Sequence, residues 1–420
     1  MPHISSNRWS CVRYSTGNAW NYNNNGMSNN NGFANSLAVR PVTKLSKTAI
    51  LEMDFEDLYE AHRASRKHNR RSEDMVAFEV DLYANLRRNL DKINSRSYVP
   101  LHNYSFMHRR NQTPREVFAA EPELKGMMAY ALNPLMPLIE KRLSPRTFNN
   151  RIGMGAHLAV DTLIEDIYTV SEGYTRPCTL IKLDYRGYFP NMVRQTAFRQ
   201  FLDIIDRDYH GRNKDDIIYC LETACFTSAR RSRRKSPLWE WEDYPDYKSV
   251  YRKPDGIGGF IGYTFWQTVA SLYPMEVDRY IAENMSPHFV RYVDDTVIVI
   301  PTENKETVLS MIPGLRDKLG ELGITLHPKK FYCQPYEHGV EFLGYHILPG
   351  RIHLKHKTIA RAMSVARSHG RGKRNYMDAI NSYLGMIKST SDIDKAKALL
   401  DAVNRPGFEK DYNELKLVMK

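Results

Sequence analysis

The feature that most constrains this chain is a pair of acids set inside what otherwise reads as continuous β-structure: His288-Phe289-Val290-Arg291-Tyr292-Val293-Asp294-Asp295-Thr296-Val297-Ile298-Val299-Ile300. Aromatic and β-branched residues on both sides favour strands, and this order folds most simply as a tight hairpin with Asp294 and Asp295 at its tip. Two carboxylates flanked by buried β-structure repel each other unless a cation joins them. Adjacent acids are also common in ordinary solvated turns, so the pair does not decide its own role.

A second acid shifts the balance. Leu180-Ile181-Lys182-Leu183-Asp184-Tyr185-Arg186-Gly187-Tyr188-Phe189 is another apolar run ending in an acid, followed by a glycine turn and two aromatics. Brought beside the hairpin, Asp184 and Asp294 can hold two divalent cations, and magnesium suits an all-oxygen, partly substrate-built shell. Two such ions activate a primer hydroxyl and clamp a triphosphate, which is the chemistry of nucleotidyl transfer.

The rest of the chain agrees with a nucleic-acid partner. Its net charge is +12, gathered in clusters at Arg63, Arg66, Lys67, Arg70 and Arg71, at Arg230, Arg231, Arg233, Arg234 and Lys235, and at Arg367, Arg371, Lys373 and Arg374. Clustered cations gain by releasing counterions from a phosphate backbone, although solubility or an acidic protein partner would also account for them. With 420 residues, 42% of them hydrophobic, the chain has room for two or three modules. No apolar run reaches the length of a membrane span, and the first residues lack the apolar core of a signal peptide. The five cysteines show no metal-ligand pairing with histidines and read as free thiols, so a cytoplasmic location is expected.

Four segments are expected. Residues 1–42 hold ten asparagines and cannot bury a core, so a flexible or partly ordered leader is expected. Residues 43–97 read as a helical extension, with Leu82, Leu86, Leu90 and Ile93 at helical spacing. Residues 98–350 mix short strands and helices, and residues 351–420 read as helical and basic, broken at Gly370-Arg371-Gly372 and Pro406-Gly407.

The acid-bearing segments resemble the reverse transcriptase family. Tyr292-Val293-Asp294-Asp295 matches its Y-x-D-D signature, and Asp184 with Phe189 matches its first catalytic strand, 110 residues earlier. Thr325-Leu326-His327-Pro328-Lys329-Lys330 is similar to the loop whose lysine approaches the pyrophosphate. Phe342-Leu343-Gly344-Tyr345 is similar to the primer-grip turn, and Pro114-Arg115-Glu116-Val117-Phe118 to the fingers segment whose arginine contacts the triphosphate. The resemblance covers roughly Tyr98 to Gly385. It implies an α+β right-hand polymerase: fingers, a palm on an antiparallel sheet and a short helical thumb, preceded by the helical extension and the Asn-rich leader. It further implies two Mg2+ ions on Asp184, Tyr185, Asp294 and Asp295, with Lys330 as a catalytic acid. Arg115, Tyr185, Phe189, Ile261, Gly262 and Gln267 would surround a deoxynucleoside triphosphate, with Phe189 excluding ribose. The clusters Arg230–Lys235 and Arg371–Arg374, together with Phe342, Leu343 and Gly344, would meet nucleic acid. Taken singly, Lys330 also reads as a solvated loop lysine, Arg115 as a partner of Glu116 or Glu121, and Phe189 and Ile261 as core.

Within the family, Gly258-Gly259-Phe260-Ile261-Gly262-Tyr263-Thr264-Phe265-Trp266-Gln267 resembles the I-G-x-x-x-S-Q motif of diversity-generating retroelement enzymes, with Trp266 in place of the serine. Asp246-Tyr247-Lys248-Ser249-Val250 and Asn381-Ser382-Tyr383-Leu384-Gly385 lean the same way. This resemblance implies cDNA synthesis, mutagenic at adenines, from a template-repeat RNA. It also implies a small basic helical accessory protein as partner. The leader, with Trp9-Ser10-Cys11-Val12-Arg13-Tyr14 and its Asn runs, is similar to a translated template repeat of a C-type-lectin-like tail. A retron-type or phage-defence reverse transcriptase is the nearest alternative, and a catalytically inactive nucleic-acid-binding scaffold the alternative of another class.

Overall fold

The computed structural model describes residues 8–15, 18–23, 26–32, 53–67, 69–110, 113–368 and 372–419. In the leader, Arg8–Ser15 (β1), Asn18–Asn23 (β2) and Gly26–Gly32 (β3) pair as an antiparallel meander. Backbone pairing of this kind needs no apolar composition.

The chain divides into two compact units. One comprises Met1–Val99, Pro122–Ala131 and His210–Cys220. Its helices Phe55–Ser65 (α1), Glu73–Val80 (α2) and Leu82–Asn94 (α3) bury Leu58, Met75, Phe78, Leu86, Leu90 and Ile93. The expected extension over 43–97 therefore does not stand by itself. Lys125 Nζ meets Asp74 at 3.1 Å and Arg96 meets Asp216 at 2.6 Å, fastening segments distant in sequence into this unit.

The second unit comprises Pro100–Glu121, Leu132–Tyr209 and Leu221–Lys420. The strands Tyr104–Arg110 (β4) and Thr113–Ala119 (β5) form a hairpin at its start. After the helices Pro122–Arg142 (α4) and Ala156–Val170 (α5) comes the strand Cys178–Asp184 (β6). Helices Tyr188–Asn191 (α6), Arg194–Asp208 (α7) and Lys214–Phe226 (α8) follow, then the short strand Arg233–Arg234 (β7). Helices Trp239–Glu242 (α9), Thr264–Leu272 (α10) and Met275–Tyr280 (α11) lead to the hairpin Phe289–Tyr292 (β8) and Asp295–Pro301 (β9). Helices Lys305–Ser310 (α12) and Ile312–Glu321 (α13) precede Tyr332–Pro335 (β10).

Strands β10-β6-β9-β8 make a four-stranded, wholly antiparallel sheet. Leu180, Val297 and Val299 on one of its faces share a core with the small sheet Val340–Phe342 (β11), Tyr345–Leu348 (β12) and Arg351–Leu354 (β13). A boundary at 350 thus cuts a hairpin. Pro349-Gly350 reads as a break in sequence but lies in the turn that pairs Leu348 with Arg351.

Helices His356–Arg367 (α14), Lys373–Lys388 (α15) and Ile393–Asp401 (α16) fill most of the remainder. The expectation of a helical end is corrected after Pro406-Gly407, where Phe408–Asp411 (β14) and Lys416–Met419 (β15) form an antiparallel hairpin. Asp411 Oδ1 accepts the N–H groups of Asn413 and Glu414, at 3.0 and 2.8 Å, and sets the turn. Asn381 then extends the edge: its amide donates to Leu417 O at 2.8 Å and its oxygen accepts from Leu417 N at 2.7 Å.

Candidate active site

Register brings the acids together. Along β6 and β9 the pairing ends with Asp184 opposite Asp295, while β8 closes on β9 with Tyr292 opposite Asp295. Val293 and Asp294 are left as a two-residue turn, so three carboxylates share one end of the sheet. The turn is strained: Val293 has φ 61°, where a β-branched residue is out of place. Its N–H donates to Asn149 Oδ1 at 3.0 Å, and its carbonyl accepts from Arg291 at 3.2 Å. Arg291 is fully buried and grips Asp278 through two bonds of 2.7 Å. It also donates to Thr147 and to the Ser271 carbonyl, at 3.0 and 2.8 Å. A buried guanidinium persists only with such complete pairing, and here it supports the turn from beneath.

Burial first, and the neighbouring charge of Asp184 second, push the Asp294 carboxyl up to about 6. Burial raises Asp295 as well, opposed by Lys182. Lys330 Nζ lies 2.8 Å from Asp184 Oδ1. Burial works against its ammonium, yet the bond and charge of Asp184 outweigh it and raise the pKa. The loop that carries Lys330 is stitched to the end of β6: Arg186 N donates to Thr325 O at 2.8 Å and His327 N to Asp184 O at 2.7 Å. Lys182 is a residue that sequence reasoning passed over. Its Nζ lies 2.9 Å from Asp295 Oδ1, an ion pair across the face of the sheet. Tyr185 is 1% exposed, and its N–H donates to Asp294 O at 3.1 Å, so its ring belongs to the core beneath the acids.

The segments expected around a nucleotide also converge. Gly187, at φ 59°, turns the chain after Asp184, and a Cβ there would stand 2.5 Å from the Tyr247 carbonyl. The half-exposed Phe189 accepts the Gly259 N–H at 2.7 Å through its carbonyl. Phe118 N donates to Ile261 O at 2.8 Å, laying the Ile261-Gly262 segment along the free edge of β5. Gly262, at φ 111°, comes so near β5 that a Cβ would stand 2.3 Å from the Phe118 carbonyl. Glu116 is buried on one face of β5 and accepts from Trp241, Ser249 and Val250 at 2.8, 2.8 and 2.7 Å, whereas Arg115 is exposed on the other. A pairing of Arg115 with Glu116 is thereby set aside. Ile261 is half-buried, and Gly262 and Gln267 are exposed. Trp266 is 0% exposed, packed edge-on to Phe265 with centroids 5.1 Å apart, and stands over Gly259. The residue that departs from the family pattern is a core residue.

Among residues expected on nucleic acid, the basic cluster divides. Arg230, Arg231, Arg233, Arg234 and Lys235 are all exposed. Strand β7 pairs in parallel with β4, Arg233 opposite Tyr104 and Arg234 opposite Ser105, which sends alternate residues to opposite faces. Arg234 stacks on Tyr251 and Trp241, 4.1 and 5.4 Å from the ring centroids. On the other face Lys235 sits 3.6 Å above the Tyr104 ring, beside Phe106 and Arg233, with His108 opposite Arg115. Phe342 is a correction. It is 0% exposed, because alternation along β11 turns Val340 and Phe342 inward, so its ring meets no nucleic acid. Leu343 and Gly344, at φ 48° and 94°, form the accessible turn. Arg371 lies outside the described residues. Lys373 begins α15 and Arg374 is exposed on it.

Among the described residues no three His, Cys, Asp or Glu side chains close into a metal cage. The donor set is instead an open one, of strand-end carboxylates that repel each other, and it fits a hard divalent cation that takes its remaining oxygens from elsewhere. Among solved structures the chain is similar to apo telomerase from Candida tropicalis truncated from its C-terminal domain, with TM-score 0.43 and 13% identity over 61% of this chain and 56% of that one. It is also similar to telomerase from Candida albicans in complex with a TWJ fragment of telomeric RNA, with TM-score 0.43 and 10% identity over 72% of this chain and 55% of that one. The match thus spans little more than half the length of either telomerase chain. No protein-family model and no curated protein matches the sequence.

Proposed function

We propose that the chain is a magnesium-dependent RNA-directed DNA polymerase. The observation that carries this reading is the register of Asp184 against Asp295, with Asp294 in the adjoining turn and Lys330 bonded to Asp184. Asp184 and Asp294 would hold the cations, which supply charge for activating the primer hydroxyl and stabilising the leaving pyrophosphate. The chain's own groups do the rest. Lys330, kept protonated by Asp184, donates a proton or charge to the pyrophosphate. Arg115, exposed on β5, holds the triphosphate. Phe189 lies under the sugar, and the Ile261-Gly262 segment bounds the nascent base pair. Single-stranded template runs over the face of β4, β5 and β7 that carries Tyr104, Phe106, Arg233 and Lys235, where rings stack bases and cations meet phosphates.

The finer reading is a diversity-generating retroelement enzyme that copies a template-repeat RNA into adenine-mutagenised cDNA. A small basic accessory protein would be its partner and the cytoplasm its place of action. It is supported by Ile261 and Gly262, which lie along β5, while Trp266 packs into the core. One experiment tests both levels: the full chain is given an RNA template, a DNA primer, deoxynucleotides and Mg2+, and the product is sequenced. Extension that is lost in Asp294→Asn supports the polymerase. Substitutions concentrated opposite template adenines support the finer reading, whereas errors spread over all four bases favour a retron-type or defence enzyme. No extension on any template would overturn both.

A further inference from the structure

Lys182 lies in the middle of the acid-bearing strand, in a run that is otherwise apolar. On β6 it pairs with Val297 and Asp184 pairs with Asp295, so Lys182 and Asp295 are diagonal neighbours on one face of the sheet. Its side chain is only 11% exposed, yet its ammonium meets three groups. It lies 2.9 Å from Asp295 Oδ1, donates to the carbonyl of Glu341, and stands 5.6 Å from the centroid of the Phe342 ring. Glu341 and Phe342 belong to β11, which runs directly into the Leu343-Gly344 turn. The far side of that turn is tied in as well: Lys355 N donates to Gly344 O at 3.0 Å, and Lys355 Nζ meets Glu341 Oε2 at 2.6 Å. An ammonium so placed is surrounded by protein groups in place of water, and here those groups come from two different sheets.

We propose that Lys182 is a positioning residue that fastens Asp295 of the carboxylate hairpin to the β11–β12 turn. Resting on the polymerase reading, the link makes the seat of a nucleic-acid strand on that turn and the alignment of Asp294 parts of one mechanical unit. Asp295 then serves as the anchor, and Asp184 and Asp294 remain to carry the cations. The arrangement also accounts for a lysine in a strand position where an aliphatic residue would bury more cheaply.

The test uses the full chain in two arms. In the metal-free protein, the unfolding midpoints of wild type, Lys182→Met, Asp295→Asn and the double variant form a cycle. The link predicts non-additivity: Lys182→Met leaves Asp295 buried and unpaired, and adding Asp295→Asn restores much of the lost midpoint. In the second arm, fluorescence anisotropy measures primer–template affinity, and KM for primer–template is compared with kcat. Lys182→Met weakens affinity about tenfold and raises KM for primer–template more than KM for the nucleotide, while Lys182→Arg recovers part of the loss. Additive midpoints would overturn the link to Asp295, and unchanged affinity in a folded Lys182→Met would overturn the link to the turn. If no variant, wild type included, extends a primer, the polymerase reading fails while the unfolding cycle and the binding arm still decide this one.

Discussion

At the scale of single residues, the electrostatics of Asp294 make a signed prediction. Its carboxyl is pushed up to about 6 in the folded chain, above the roughly 3.9 of an unfolded aspartate. Stability from this group is therefore fully present below about pH 4 and is lost as pH rises through about 6. At neutral pH the metal-free protein carries an ionised, crowded carboxylate that costs about 3 kcal/mol. Asp294→Asn should abolish extension and yet raise the midpoint of the metal-free chain at pH 7.5, with the difference shrinking toward pH 4 and on adding Mg2+. Equal midpoints for the two proteins at pH 7.5 would contradict the assignment of strain to this acid. Phe189 gives the second residue-level prediction. Its ring is half-exposed rather than core, so Phe189→Ala should raise ribonucleotide relative to deoxynucleotide incorporation by roughly tenfold or more, the scale of a shape-based pocket. An unchanged ratio in an active variant would make the ring ordinary packing.

At the scale of elements, the strands β6, β8 and β9 could be read from composition, whereas the assembly around β5 could not. Arg115 was singled out, but its neighbour Glu116 does the structural work, because strand alternation turns one outward and the other into the 241–250 segment. The same alternation buries Phe342 and divides Arg233 from Arg234, and only a known register reveals it. The terminal hairpin was missed because four-residue strands leave too short a pattern, and because Asn381, in a distant helix, completes its edge. Glu116 can be tested directly. Both oxygens accept, Oε1 from Trp241 and Ser249 and Oε2 from Val250 N. Glu116→Gln places an NH2 against one of these donors. The clash should lower stability by about 1–3 kcal/mol and loosen the 241–262 segment, reducing nucleotide affinity even though Asp184 and Asp294 are untouched. Urea unfolding together with nucleotide KM would measure this. A variant as stable as wild type would mean that Glu116 is protonated and donates a bond of its own.

At the scale of the whole molecule, a net charge of +12 says that the chain seeks polyanions but not where. The fold supplies the direction. Among the described residues no aromatic ring stacks on the exposed Arg230, Arg231 and Arg233, whereas Arg234 lies over Tyr251 and Trp241. Each phosphate neutralised on a single strand adds roughly 0.7 to the slope of log affinity against log salt. Replacing Arg230, Arg231 and Arg233 together by alanine should therefore flatten the slope for single-stranded RNA by about 2. Arg234→Ala should leave that slope nearly unchanged and instead lower the unfolding midpoint, because what it gives up is a cation–π contact of about 1 kcal/mol. The two outcomes separate electrostatic capture from packing within one short stretch of sequence. If Arg234→Ala flattened the slope as much per residue as the other three, the strand alternation at β7 would not govern which cations meet nucleic acid. If the triple variant left the slope intact, the charge that draws RNA to this chain would have to lie in the clusters at Arg63–Arg71 or Arg367–Arg374 instead.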